Sequence, residues 1–268
     1  MQFQNLHTHS TFDDGKSTLE QMVRSAMDAG LCAMGFSGHS PLPFPDAWSI
    51  QPEQFSTYLA QIRALQARWR GEFPLFCGLE WDACAAIPSA PLDYLIGAVH
   101  FFPAMADGRR FSVDQSANML RECLKVQFDG DVDAQEACYY GEVAKLAGVA
   151  AVDIVAHFDL ITKFDEPRAV YHAAPPCALD AMERLVQAGK LFEINTGAIA
   201  RGYRLTPYPS QPLLCALHEM GGRVLFTGDT HNAADIACHF PEAAALAKRC
   251  GFTESWFLTE HGFEPRPL

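Results

Sequence analysis

Asn5-Leu6-His7-Thr8-His9-Ser10-Thr11-Phe12-Asp13-Asp14-Gly15 follows directly on Gln2 to Leu6, a short run that reads as a first β-strand. Side chains alternate faces along a strand, so His7 and His9 point the same way and can grip one metal ion from a single rigid element. Asp14 stands beside Gly15 in the following turn, where a carboxylate can fold back over the same site. A His-x-His pair by itself fits two surface histidines on a fraying end equally well. Its meaning depends on what stands at the ends of the later strands.

Those ends repeat the arrangement. Ala33 to Ser37 reads as a strand closing at Gly38-His39, Pro74 to Glu80 as one ending in a carboxylate, and Tyr94 to His100 and Val152 to His157 as two ending in histidine. Leu191 to Asn195 ends in a polar turn, and Arg223 to Gly228 is closed by Asp229-Thr230-His231. Helical stretches lie between them. Leu19 to Ala29 is capped by Ser17 or Thr18 and stopped by Gly30; the others are Pro52 to Arg70, Val113 to Phe128, Asp133 to Ala147, Pro175 to Ala188, Gln211 to Met220 and Phe240 to Arg249. Ser255 to Thr259 reads as a short last strand.

Strands that are apolar at nearly every position and alternate with helices are parallel and covered on both faces. Parallel barrels gather functional residues at the C-terminal strand ends. His7, His9, His39, Glu80, His100, His157, Asp229 and His231 all stand there. In an open sheet the outermost ends lie too far apart to share one site, so an α/β barrel, closed or nearly closed, is expected. No linker, low-complexity tract or repeat interrupts it, and residues 1–268 read as a single domain.

Composition narrows the function classes. Hydrophobic residues make up 49% of the 268, enough for a large core, and the net charge of −12 repels polyphosphate backbones. A small phosphorylated partner stays compatible with that surface; nucleic acid and membrane do not. The nine cysteines are scattered in apolar runs without a Cys-x-x-Cys pair, which points to reduced thiols. With no signal-peptide pattern and no run of membrane-spanning length, a soluble cytoplasmic protein is expected.

Six histidines and three acids, counting Asp14, make nine candidate ligands at one end of the sheet. Catalytic sites keep positions open for water or substrate, so nine exceeds what one or two ions need. The count points to three ions sharing a carboxylate, and Glu80, with two oxygens, is the choice for the bridge. A nitrogen and oxygen set without thiolate suits Zn, Mn, Fe or Co. Such a cluster is most useful for phosphate esters, where two ions sharing a water aim a bridging hydroxide at phosphorus. Lys163 and Arg201, in loops after the fifth and sixth strands, then read as a phosphate clamp.

His7-x-His9 with Asp14-Gly15, Gly38-His39, Gly78-Leu79-Glu80, Val99-His100, Ala156-His157 and Gly228-Asp229-Thr230-His231 together resemble the PHP (polymerase and histidinol phosphatase) superfamily. Val99-His100-Phe101, His157-Phe158-Asp159-Leu160, Asn195-Thr196 and an aspartate at position 14 resemble its histidinol-phosphate phosphatase branch. The resemblance implies a distorted (β/α)7 barrel, TIM-barrel-like, and hydrolysis of L-histidinol phosphate in histidine biosynthesis by a trinuclear site of divalent Zn, Mn or Fe. It implies that His7, His9, Glu80 and Asp229 hold one ion, Glu80, His100 and His157 a second, and Asp14, His39 and His231 a third. Glu80, Asp229 and Asp159 are then the catalytic carboxylates, with Asp159 donating a proton to the leaving group or holding the substrate amine. Arg201 and Lys163 meet the phosphate, and Asp82 or Asp46 the cationic remainder of histidinol. Lys163 stands where the family pattern has arginine, and the loop Gly197 to Arg201 is longer than its counterpart.

The rivals are a PHP phosphatase for a nucleotide or sugar phosphate, and a metal-binding regulator without turnover, which has no use for Lys163 or Arg201. A nuclease is disfavoured by the acidic surface. His172, His218, His239 and His261 lack strand-end placement, and His218, inside a helical stripe, reads as structural.

Overall fold

The computed structural model describes residues 2–164 and 173–268, so His172 lies outside the described residues. Seven strands pair in chain order, all parallel: β1 Gln4–Asn5, β2 Ala33–Phe36, β3 Leu75–Asp82, β4 Tyr94–Ala98, β5 Ile154–Val155, β6 Leu191–Asn195 and β7 Arg223–Thr227. The seam between first and last is closed just beyond the strands. Thr8 bridges Thr230, with His9 N donating to Thr230 O at 2.9 Å and Thr230 N to His7 O at 3.1 Å. Asn5 laces the same seam, accepting from Gly228 N at 3.0 Å and donating to Ile236 O at 2.8 Å. The expected seven-stranded barrel is present, and the two-residue strands β1 and β5 are where it is distorted.

Period-two alternation sorts the strand residues. Tyr94, Ile96 and Ala98 join Leu6, Ile154, Ala156, Leu191 and Leu225 inside the barrel, while Leu95 and Val99 face the helices. Tyr94 fills the interior because Gly35 and Gly78 leave it room: a Cβ at either position would collide with its ring. Its hydroxyl donates to the Leu6 carbonyl, with the Phe36 carbonyl 3.2 Å away.

The outer helices are α1 Leu19–Asp28, α2 Pro52–Arg68, α3 Ala117–Gln127, α4 Val132–Lys145, α5 Pro176–Gln187, α6 Gly197–Ala200, α7 Gln211–Glu219 and α8 Phe240–Arg249. A Thr18–Gln21 capping box starts α1, which buries Leu19, Met22, Val23 and Ala26. α3 begins four residues later than the sequence reading because Ser116 caps it, accepting from Met119 N at 3.1 Å. That leaves Ser112, Asp114 and Gln115 free to wall the site. The unexpected α6 is a single turn whose first carbonyl, of Gly197, accepts from Arg201 N at 3.0 Å. The strand expected to be last, β8 Glu254–Thr259, pairs with an unexpected β9, Gly262–Pro267, whose prolines and charges hide the strand pattern. This hairpin plugs the N-terminal end of the barrel: the Gln4 side-chain amide exchanges two 2.9 Å hydrogen bonds with the Leu258 backbone.

Gly78→Ala should therefore destabilise the protein by about 1–3 kcal/mol, the usual cost of overpacking a filled core. Equilibrium denaturation measures it; stability equal to or above that of the wild type would mean Tyr94 does not need the space.

Candidate metal centre

The parallel register delivers the nine expected ligand side chains to one end of the barrel. Glu80, within β3, is buried at their centre. Its Oε2 lies 2.8 Å from His39 Nδ1, 3.2 Å from His7 Nε2 and 3.6 Å from His9 Nε2. Its Oε1 lies 2.9 Å from His157 Nε2 and 3.3 Å from His100 Nε2. Asp229 Oδ1 stands 3.2 Å from His9 Nε2, and Asp14 Oδ1 stands 3.1 Å from His231 Nε2. Asp229 reaches inward from a left-handed backbone (φ 43°), a conformation aspartate tolerates better than most residues and one that clusters at functional sites.

Three further carboxylates aim the rings. Glu193 Oε1 meets His7 Nδ1 at 2.6 Å, Asp13 Oδ2 meets His9 Nδ1 at 2.6 Å, and Asp82 Oδ2 meets His100 Nδ1 at 3.1 Å. Each leaves the Nε2 edge turned toward Glu80, the carboxylate–imidazole arrangement that orients metal ligands. Glu193 also accepts from His157 N at 2.9 Å and Asn195 Nδ2 at 3.0 Å, which ties three strand ends to one buried side chain.

The donor set fits a cation. His7 Nε2, His9 Nε2 and Glu80 Oε2 are buried without a hydrogen-bond partner. Ligand atoms of His9, Asp14, His39 and His231, of His7, His9 and Asp229, and of His39, Glu80 and His100 each fall within 4.8 Å of one another. These groups overlap the three ligand sets drawn from the sequence without matching them one for one. Burial disfavours charge on His9, but Asp13 outweighs it and pushes the imidazole up to about 10. Burial likewise pushes Glu80 up, and the surrounding His7, His39 and His100 outweigh it and hold the carboxyl well below its usual range. Positive charge is what this pocket stabilises, and metal ions compete with protons for such sites.

A cavity of about 290 Å3 opens over the cluster, with Trp48, Ser112, Asp114, Lys163, Arg201 and Tyr203 among its walls. Lys163 Nζ donates to Asp114 Oδ2 at 2.9 Å and to Asp114 O at 3.0 Å. Arg201 Nη2 donates to Asp229 Oδ2 at 2.9 Å, and its Nη1 lies 2.7 Å from His231 Nδ1. Three acids expected in the cavity stand elsewhere. Asp82 backs His100 and accepts from Cys84 N. Asp159 is buried behind the wall, accepting from Ser210 N at 3.0 Å. Asp46 ties down its own loop through Trp48 N and Ser49. Of the remaining histidines, His218 packs on Phe252, His239 occupies the position just before α8 without a side-chain capping bond, and His261 sits in the hairpin turn.

Glu193, Asp13 and Asp114 escaped the sequence reading. Glu193 carried a signal, being the one charge in the apolar strand Leu191-Phe192-Glu193-Ile194-Asn195, but a mid-strand acid lies outside the strand-end rule. Asp13 carries no signal that sets it apart from its neighbour Asp14.

A family model described as the PHP domain matches residues 5–197. A probable histidinol-phosphatase of Deinococcus radiodurans is 27% identical over 92% of each chain. The histidinol-phosphatase of Bacillus subtilis is 23% identical over 93% of this chain and 100% of its own. A histidinol phosphate phosphatase from Lactococcus lactis, solved with zinc, L-histidinol and phosphate, superposes with a TM-score of 0.71 at 20% identity over 98% of this chain and 99% of that one.

If Glu193 orients His7, Glu193→Gln should weaken transition-metal binding about 10–100-fold. Chelator competition reads this directly, and unchanged affinity would detach Glu193 from the centre.

Proposed function

The chain belongs to the PHP domain family, and from that premise we propose a metal-dependent phosphomonoesterase that hydrolyses L-histidinol phosphate to L-histidinol and phosphate. The observation that carries this reading is that Lys163 and Arg201 face the same cavity as the Glu80 cluster. A regulator that only stored metal would have no need of two cations there. Asp114 adds a carboxylate to that wall: burial pushes its pKa up, but Lys163 outweighs this and keeps it low, so it stays charged. Histidinol phosphate presents an anion for the two bases and a cation for Asp114, whereas sugar and nucleoside phosphates offer no ammonium.

His7, His9, Glu80 and Asp229, then Glu80, His100 and His157, then Asp14, His39 and His231 would hold three divalent ions, zinc, manganese or iron. Bound there, the ions supply an acidified water as nucleophile and neutralise charge on the phosphoryl oxygens. The protein's own part is orientation. Asp229 anchors one edge of the Arg201 guanidinium, whose fork of donors leaves capacity for a phosphoryl oxygen. Lys163 meets the phosphate as a point charge, in competition with Asp114. We read residues 1–268 as one catalytic domain. All nine cysteines are free, which fits a reducing cytoplasm, and no helix among the described residues is long and apolar enough to cross a membrane.

The test is turnover of L-histidinol phosphate, a sugar phosphate, a nucleoside monophosphate and a phosphodiester by metal-loaded protein. We expect a clear preference for histidinol phosphate, lost on exhaustive chelation; preference for another ester, or activity with metal verifiably absent, would contradict the reading. Arg201→Ala should lower kcat/KM by about 2–4 kcal/mol, the range for one charge-assisted donor in a sheltered site. Lys163→Ala should cost less, and wild-type kinetics in Arg201→Ala would remove that residue from the site.

A further inference from the structure

Behind the cavity wall, Arg204 Nη2 stands 3.7 Å from Asp159 Oδ2, with both side chains buried and neither lining the cavity. Burying two charges is costly unless each is paired and further hydrogen-bonded, and breaking one such pair is more costly still. The pair's position in the chain shows what it joins.

Asp159 begins the tight turn Leu160–Thr162 that ends at Lys163. Its carbonyl accepts from Thr162 N at 3.0 Å and from Thr162 Oγ1 at 2.7 Å. Arg204 Nη1 donates to the same Thr162 hydroxyl, so the guanidinium holds both ends of the turn. On the other side, Arg204 N donates to Ala198 O at 3.2 Å, within the single-turn helix α6 that Arg201 caps. The guanidinium lies 4.2 Å over the Tyr208 ring, and Asp159 Oδ2 accepts from Ser210 N at 3.0 Å. The segment carrying Lys163 and the segment carrying Arg201 are thus fastened together at one buried ion pair.

We propose that Asp159 and Arg204 are positioning residues: their ion pair sets the spacing of Lys163 and Arg201 and so governs affinity for a phosphoryl group that neither touches. This rests on reading Lys163 and Arg201 as the phosphate-binding cations. The physical reason is the weakness of both supports, a three-residue turn and a four-residue helix, neither of which resists displacement alone. A displacement of about 1 Å at a binding group can cost on the order of 100-fold.

The experiment measures binding of inorganic phosphate to metal-loaded protein by calorimetry, beside KM, kcat and bound metal. Arg204→Met, which keeps an unbranched apolar stem and removes charge and hydrogen bonds, should weaken phosphate binding on the order of tenfold or more. KM should rise by more than kcat falls, with metal content unchanged. Arg204→Lys should restore part of the loss. The separating test is a double-mutant cycle: in a Lys163→Met background the Arg204→Met effect should shrink severalfold, because the clamp acts through that cation. Should Arg204→Met not fold, Asp159→Asn, which keeps an acceptor for Ser210 N, carries the same cycle. Wild-type phosphate affinity in a folded clamp variant, an undiminished effect in the Lys163→Met background, or loss of metal together with affinity would each overturn the proposal. So would a wild type that binds no phosphate. A wild type that binds phosphate yet spares histidinol phosphate would overturn the function proposed above and leave the clamp standing.

Discussion

A buried carboxylate sits at the head of this barrel. Glu80 is buried, its two oxygens face imidazole nitrogens of five histidines within 3.6 Å, and Oε2 has no hydrogen-bond partner. An isolated buried charge of this kind is among the most costly features a fold can carry. It persists where positive charge surrounds it, and the five rings belong to the ends of β1, β2, β4 and β5. The parallel order β1 to β5 brings those ends together around a residue of β3, and closure of the barrel at the Thr8–Thr230 bridge adds Asp229, 3.2 Å from His9.

The requirement propagates outward in layers. Imidazoles that face a carboxylate must be held in one tautomer and one orientation, and Glu193, Asp13 and Asp82 hold three of them from behind. Those acids are in turn tied to backbone: Asp13 accepts from Ser10 N and His39 N, Asp82 from His100 N, Glu193 from His157 N. Below them the Thr8–Thr230 bridge closes the seam and Tyr94 fills the interior through the space left by Gly35 and Gly78. The cations over the cavity have their own support in Asp159 and Arg204. Rigidity at the centre is built from shells that each satisfy the one inside.

The strand-end ligands were legible because two strong periodicities coincide there: buried parallel strands read as unbroken apolar runs, and the first polar residue after each run falls at the functional end. The same rule explains what was missed. Glu193 interrupts its strand instead of ending it, and its role depends on a neighbour from β1, 186 positions away in sequence. Asp159 stood in a telling motif beside His157, but only the fold shows that its side chain turns away from the cavity to Arg204. Asp82 was one pleat too far along β3 to be read as a support for His100, which reaches it from β4 through the parallel register. The hairpin strand β9, with two prolines and alternating charges, carries no strand signal and forms because β8 offers it an edge.

The measurement that bears most directly on the central role of Glu80 is transition-metal content per chain, by elemental analysis, in the wild type and in Glu80→Gln. Nine clustered ligands, one of them a shared carboxylate, predict about two to three equivalents in the wild type. Folded Glu80→Gln should lose most of them, since the amide keeps the shape of the side chain and gives up its charge. A wild type that takes up no metal, or a Glu80→Gln protein that keeps the full complement, would contradict the account.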